Sequence, residues 1–174
     1  MGSKKQYSSY LKHVFQLIDK YVVNSIYTIM LHLVHNLSDP LCALISDDPV
    51  RPEIPIEFRV SPQSEIMVLQ DLYGKSMAAV CVLYRDSIPR SCSELLEFNS
   101  FHPTVAVFYT IWSYVPGAGR KLIIAARSDI ESRRPSIKDY VTLSPPSEMA
   151  RIFHLRNGAS VLNVNDDSIN YHYA

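Results

Sequence analysis

The segment TVAVFYTIWSYVPGAGRKLIIAARSDIESRR, residues 104–134, carries the clearest structural pattern of the chain. Its first part, Thr104–Tyr114, is rich in β-branched and aromatic residues, which predicts a strand. Its last part, Arg120–Arg134, predicts a helix that ends before a proline. Between them, Gly117 and Gly119 permit a tight turn whose amides lie at the positive end of the helix dipole. By itself this loop is either a plain turn or a phosphate site.

The N-terminal region has the helical period. Apolar residues recur at three- and four-residue steps over Ser8–Leu37, which predicts one long helix, or two helices with a break near Asn24. Within it, the stretch Tyr21–Leu37 carries no Asp, Glu, Lys or Arg, but polar residues interrupt it. It is also too short for a membrane span, so we interpret it as a buried helix. Asp39-Pro40 ends the helix, and Leu41–Ile45 predicts a further helical turn.

The middle of the chain predicts strands. Four prolines over Asp47–Pro62 indicate an extended connector, in which the alternating apolar residues of Ile54–Val60 predict an edge strand. Two apolar runs then flank Tyr73-Gly74-Lys75, and this pattern predicts an antiparallel hairpin. Ser87–Pro103 is predicted to be a loop, with a helical turn at Ser93–Phe98.

The C-terminal part adds a strand at Asp139–Leu143, a helix that ends at Asn157-Gly158, and a last hairpin around Asn165–Ser168. The predicted order is helix, three or four antiparallel strands, helix, strand, helix, hairpin. This order is typical of an α/β (α+β) domain with a mixed sheet. We expect one domain over 1–174, with an N-terminal helical and extended region, 1–64, and a sheet region, 65–174.

Composition excludes several classes of function. The 174 residues include 17 basic and 17 acidic side chains, so bulk electrostatic binding to nucleic acid or to a membrane surface is not expected. The three cysteines, Cys42, Cys81 and Cys92, form neither a paired framework nor a Cys-x-x-Cys motif. A reducing cytoplasm is therefore the expected compartment.

Residues 150–159, ARIFHLRNGA, resemble the A-x-x-F-Y-x-x-x-G-F signature of GNAT-type N-acetyltransferases. The predicted strand, glycine loop and closing hairpin are also similar to that superfamily. The resemblance is specific over Thr104–Tyr173 and looser over Glu65–Asp86, and it extends to small acetyltransferase-like proteins of phage genomes. It implies a GNAT-like mixed, mostly antiparallel sheet flanked by helices, here with the long N-terminal helix.

The same resemblance implies transfer of an acetyl group from acetyl-CoA directly to a primary amine of a small molecule or protein, without a metal. Thr110–Ser113 would pair with the pantetheine arm, and the glycine loop would hold the pyrophosphate. His154 replaces the tyrosine general acid of the family, and with an ordinary pKa it would donate a proton near neutral pH. The cofactor-binding residues implied in this way are Ile111, Ser113, Tyr114, Val115, Gly117, Ala118, Gly119, Arg120 and Lys121.

The chain departs from the family pattern at the site itself. Tyr114 replaces the Gln or Arg that opens the loop motif, Pro116 lacks an amide hydrogen, and Ala159 replaces the closing Phe. A non-catalytic GNAT-fold binding or assembly protein, with the N-terminal helix as its partner or homo-oligomer surface, is therefore the alternative. Nucleotide binding by the loop without the GNAT fold is a third, weaker interpretation.

Other polar residues give weaker signals. His32 and His35 have a spacing that suits zinc, but no third ligand follows at a supporting distance, so we expect a helix face and no metal site. Cys92 lacks a histidine partner in the sequence pattern and is not expected to be a nucleophile. Glu94 and Glu97 are candidates for the general base, although most such glutamates are simply solvated.

Overall fold

The computed structural model describes residues 29–97 and 101–174. In these residues, strands pair into a single seven-stranded sheet of order β1-β2-β3-β4-β5-β7-β6. Neighbouring strands are antiparallel, apart from the parallel pair β4–β5. The predicted mixed, mostly antiparallel sheet is confirmed. The strands are β1 Met30–Val34, β2 Ser64–Gln70, β3 Ser76–Arg85, β4 Val105–Ser113, β5 Asp139–Thr142, β6 Ala159–Val164 and β7 Ile169–Tyr173.

Five helical segments accompany the sheet in the described residues. Two of them begin at serine caps: the Ser91 side chain accepts a hydrogen bond from the Glu94 amide, and the Ser147 side chain accepts one from the Ala150 amide. The segments are a 3₁₀ helix Pro40–Asp47 and the α-helices α1 Ile56–Arg59, α2 Cys92–Leu96, α3 Ala118–Arg133 and α4 Glu148–Arg156. The predictions for α2, α3, α4 and the two hairpins are confirmed.

Both faces of the central strands are covered. On one face, α3 packs Leu122, Ala126 and Ile130 against alternate residues of β2, β3 and β4. On the other face, Ile54 and Phe58 pack against the intervening residues of the same strands. Because each face is buried, the central strands contain nearly continuous apolar runs instead of an apolar–polar alternation.

The prediction of a helix that reaches Leu37 is wrong at its C-terminal end. Met30–Val34 is a strand that pairs antiparallel with β2, from Met30 opposite Gln70 to Val34 opposite Ile66. The edge of β2 supplies backbone partners, and this tertiary pairing outweighs the local helical period. The earlier part of the predicted helix lies outside the described residues. No helix in the described part of the chain is both long enough and apolar enough to cross a membrane.

The predicted edge strand at Ile54–Val60 is also wrong, because Ile56–Arg59 forms the short helix α1. Ile54 and Phe58 are both buried, and their spacing of four residues fits one turn of helix as well as it fits an alternating strand. The helix also turns Arg59 into the interior. There Nη1 of Arg59 donates to Oδ2 of Asp48 at 2.7 Å, and Nε donates to the carbonyl of Ile54 at 2.9 Å.

The Arg59–Asp48 pair is fully buried, so it gives a direct test of how the connector is fixed. We predict that Arg59→Met lowers the free energy of unfolding by about 3 kcal/mol or more, because it leaves the Asp48 carboxylate buried without its cation. Urea unfolding followed by circular dichroism measures this loss.

Arg151→Met is the matched control. Arg151 forms an exposed ion pair with Glu148 on one face of α4. We expect its removal to change stability little, because solvent screens such pairs. Equal losses of stability in the two variants would contradict the role of the buried pair.

Candidate functional site

The two parallel strands separate part of the way along the sheet. Pairing of β4 with β5 runs from Val105 opposite Asp139 to Phe108 opposite Thr142, and it ends there. β4 continues to Ser113, whereas the chain after β5 turns away through Pro145 toward α4. The second half of β4 therefore has no partner strand on that side in the described residues.

A cavity of about 560 Å³ lies along this open edge. Its walls come from β4, the start of α3, the segment after β5, and α4, with Pro49 and Val50 closing one side. None of the described lining residues is Asp, Glu, Lys or Arg. The lining residues are Pro49, Val50, Phe108, Tyr109, Thr110, Ile111, Trp112, Ser113, Gly119, Ser144, Pro145, Ser147, Met149, Ala150, Phe153 and His154.

The glycine loop borders the cavity. Gly117 caps α3 with φ of 79°, a left-handed conformation that favours glycine. The Ala118 amide donates to the carbonyl of Val115 at 3.1 Å, so the turn itself uses this amide. The amides of Gly119 and Arg120 lie in the first turn of α3, where a helix has no earlier carbonyl for them. The N-terminus of α3 therefore offers backbone donors beside the cavity.

Gly119 has a second role, in packing. A Cβ atom at this position would lie 3.1 Å from Cε2 of Phe153 on α4. The glycine thus allows α3 and α4 to approach closely in the wall of the cavity. Any larger residue here would displace the Phe153 ring, so a substitution at Gly119 perturbs packing as well as a ligand.

The structure brings some of the predicted cofactor residues into the lining and leaves others beside it. Ile111, Ser113 and Gly119 line the cavity, while Tyr114, Val115, Gly117, Ala118, Arg120 and Lys121 occupy the adjoining loop and first turn of α3. The Tyr114 hydroxyl donates to Oδ2 of Asp47 at 2.8 Å and accepts from Nε1 of Trp112 at 2.9 Å. Tyr114 therefore joins the loop to the 3₁₀ helix.

His154 lines the cavity and is buried, with both ring nitrogens in hydrogen bonds. Nε2 lies 2.8 Å from the Ser144 hydroxyl, and Nδ1 lies 2.8 Å from the Tyr173 hydroxyl. The ring also stacks on Tyr171 with centroids 4.7 Å apart. Burial lowers the pKa of His154 to about 4, so the imidazole is neutral at pH 7. The sequence expectation of an ordinary pKa is wrong.

Sequence reasoning missed Ser144 and Tyr173, which hold His154 from both sides. Ser144 is the second residue after the parallel strand β5, at the carboxyl end of the strand, where functional side chains of α/β sheets tend to lie. That signal was in the sequence. Tyr173 comes from β7, and only the folded sheet brings it to the helix that carries His154.

The other polar candidates lie away from the cavity lining. Glu94 accepts a hydrogen bond from the Arg90 amide, next to the N-terminus of α2. Nε2 of His32 bonds to Oδ2 of Asp39 at 2.9 Å. Across residues 29–97 and 101–174, no three His, Cys, Asp or Glu side chains group to hold a metal ion.

Comparison with known proteins gives structural matches only. No model of a known protein family matches the chain, and a search of curated proteins finds no match. Malonyl-CoA decarboxylase from Rhodopseudomonas palustris has a TM-score of 0.67 and 18% identity, over 94% of this chain and 61% of that chain. NAA60 from Arabidopsis thaliana, solved with acetyl-CoA, has a TM-score of 0.58 and 16% identity, over 84% and 98%. A Desulfovibrio desulfuricans protein assigned to the GNAT acetyltransferase family has a TM-score of 0.54 and 12% identity, over 83% and 98%.

These similarities establish a GNAT-type fold, as the resemblance in the sequence implied. The chain spans 39% to 61% of the length of the three malonyl-CoA decarboxylase chains that it matches. It spans 98% of the NAA60 chain and 98% of the Desulfovibrio desulfuricans chain.

The environment of His154 predicts a pH dependence of stability. Its pKa is about 4 in the folded chain, against an ordinary value of 6.5, so the unfolded chain binds the proton more readily between these values. The contribution of the neutral ring is therefore complete above pH 6.5 and is lost as the pH falls toward 4. We expect this group to remove about 3 kcal/mol of unfolding free energy over that window.

Urea unfolding of the wild type and of His154→Gln at several pH values between 7 and 4 isolates this contribution, since other groups titrate in both proteins. The difference in stability between the two proteins should shrink as the pH falls. A difference that stays constant across the window would contradict the buried neutral ring.

Proposed function

We propose that this chain binds an acyl-CoA in the cavity along β4 and acts on the acyl thioester. The observation that carries the proposal is the separation of the β4–β5 pair beside a glycine loop that begins α3. A strand edge without a partner offers amide and carbonyl groups to an extended amide chain such as pantetheine. In this arrangement Thr110–Ser113 pair with the pantetheine arm.

The phosphates of the coenzyme occupy the N-terminus of α3. Backbone donors of Gly119 and Arg120 and the positive end of the helix dipole suit an anion there. The side chains of Arg120 and Lys121 are exposed at the same helix end and add positive charge. NAA60, solved with acetyl-CoA, and a Bacillus subtilis acetyltransferase, solved with CoA, share the fold and support the binding of such a coenzyme.

The first candidate reaction is transfer of an acetyl group from acetyl-CoA to a primary amine of a small molecule or protein. The amine nitrogen attacks the thioester carbon, the carbon–sulfur bond breaks, and the thiolate takes up a proton. The similarity to acetyltransferases of the same fold supports it. The reaction also needs a base for the ammonium proton, and the described lining residues include no carboxylate for that task.

The second candidate reaction is decarboxylation of a malonyl thioester, which the Ser144–His154–Tyr173 chain of hydrogen bonds favours. Loss of CO₂ leaves an electron pair on the α-carbon as an enolate, and this carbon then takes up one proton. The Ser144 hydroxyl supplies the proton, Nε2–H of His154 replaces it on Ser144, and the Tyr173 hydroxyl protonates Nδ1, so the imidazole stays neutral. A proton from solvent then restores the Tyr173 hydroxyl. A neutral imidazole between two hydroxyls suits such a relay.

The character of the cavity also supports decarboxylation. Its described lining residues include no Asp, Glu, Lys or Arg, and His154 is neutral, so a carboxylate there loses its hydration. A poorly solvated carboxylate loses CO₂ more readily. The malonyl-CoA decarboxylases among the structural matches point in the same direction. Of the two reactions, the site geometry favours decarboxylation.

Binding is tested first. Isothermal calorimetry should give saturable binding of acetyl-CoA and malonyl-CoA to the wild type, and Arg120→Glu should bind both roughly tenfold or more weakly, because it reverses the charge beside the phosphates. Arg156→Glu makes the same change at an exposed position at the C-terminal end of α4 and should bind like the wild type. Equal affinities for the two variants would exclude the phosphate site at α3.

Turnover then separates the candidates. Conversion of malonyl-CoA to acetyl-CoA, followed by mass spectrometry, should occur in the wild type and fall by about a hundredfold in Ser144→Ala, with affinity for the thioester retained. Ser160→Ala on the exposed strand β6 is the control. Release of free thiol from acetyl-CoA only when an amine is added would instead identify the transferase. Binding without either reaction would support the non-catalytic alternative.

A further inference from the structure

The Arg51 side chain, which precedes both strands in the chain, binds to the backbone at the end of the β4–β5 ladder. Tyr109 and Leu143 are the first residues after the last paired positions of β4 and β5. The guanidinium of Arg51 donates to both of their carbonyls, from Nε to Tyr109 at 3.1 Å and from Nη2 to Leu143 at 3.0 Å. Arg51 therefore bridges the two strands where their own pairing stops.

The carbonyl of Tyr109 is available because of an irregularity in the sheet. The register between β3 and β4 shifts so that Cys81 lies opposite Thr110 and Val82 lies opposite Phe108. Tyr109 is thereby left without a partner residue on β3, as in a β-bulge. A carbonyl at this position requires another donor, and Arg51 supplies it.

The backbone of Arg51 is itself held firmly. Oδ1 of Asp48 accepts hydrogen bonds from the amides of Val50 and Arg51, at 2.8 and 3.2 Å, and from the Thr110 hydroxyl at 2.6 Å. Burial alone would raise the pKa of the Asp48 carboxyl, but these bonds and the bond from Arg59 outweigh it and lower the pKa. The ionised carboxylate thus ties the Arg51 segment to β4.

The hydrogen-bond partners of the Arg51 guanidinium are backbone carbonyls. Among the described residues, no Asp or Glu carboxylate lies within ion-pair distance of its guanidinium. A planar guanidinium presents several donors in a fixed geometry, which suits two acceptors on separate strands. A lysine ammonium is a compact point charge and does not reproduce this bridge.

We propose that Arg51 is a positioning residue that holds β4 and β5 apart and so keeps the edge of Thr110–Ser113 open for the acyl-CoA. The inference rests on the proposed function and extends it to a residue outside the cavity lining. If the two carbonyls lost this donor, the strands would gain hydrogen bonds by closing toward each other. Closure would remove the space in which the pantetheine pairs with β4.

The test compares Arg51→Ala and Arg51→Lys with the wild type in calorimetric titrations of CoA and of malonyl-CoA. Arg51→Ala should bind both ligands more weakly, by a similar factor of roughly tenfold to a hundredfold. The factor should be similar because both ligands contain the pantetheine arm, whose site depends on the Arg51 bridge. Arg51→Lys should also bind more weakly, since one ammonium does not span both carbonyls. Arg156→Ala on the exposed end of α4 should bind like the wild type.

Chemical rescue separates this role from a general loss of stability. Millimolar guanidinium chloride should restore part of the CoA affinity of Arg51→Ala, because the free ion occupies the same two carbonyls, and it should not improve the wild type. Folding of each variant is checked by circular dichroism and thermal unfolding. A folded Arg51→Ala variant with wild-type affinity overturns the inference, and so does the absence of rescue in a weakened variant. If the wild type binds no CoA, the proposed function fails as well.

Discussion

The end of the β4–β5 ladder is the constraint on which the site depends. Two parallel strands pair as far as Phe108 and Thr142, and then their backbones need other partners. The Arg51 guanidinium supplies two donors at that point. Asp48, which is paired with Arg59, accepts a hydrogen bond from the Arg51 amide and so holds its backbone in place. The open edge, the cavity and the position of Ser144 beyond β5 all follow from this interruption.

Much of the fold could be predicted from the sequence because most elements depend on local patterns. The central hairpin, the strand of Thr104–Tyr114, α3 and the last hairpin each have their own period and turn residues. β1 was missed because its apolar spacing also fits a helix, and only the edge of β2 decides between the two. α1 was missed because buried residues four apart satisfy both patterns, and the ion pair of Arg59 with the buried Asp48 carboxylate, which favours the helix, is not visible as a local period.

The candidate site was predictable only where it depends on local sequence. Gly117 and Gly119 predict a turn followed by a helix. In the structure Gly117 has a left-handed conformation, and Gly119 allows the close approach of Phe153. The environment of His154 was not predictable, because its partners come from the segment after β5 and from β7. Its low pKa follows from that burial, and this changes the expected chemistry from a protonated acid to a neutral relay. The contribution of Arg51 likewise depends on contacts far apart in the chain.

Amide hydrogen exchange with and without CoA tests the central claim most directly, because it reports on the open edge of β4 residue by residue. The account predicts that CoA slows exchange at amides within Thr110–Ser113 and at Gly119 and Arg120, while the edge strands β1 and β6 are unchanged. Unchanged exchange along β4 and at the start of α3, at a CoA concentration that saturates binding, would contradict a site between the separated strands.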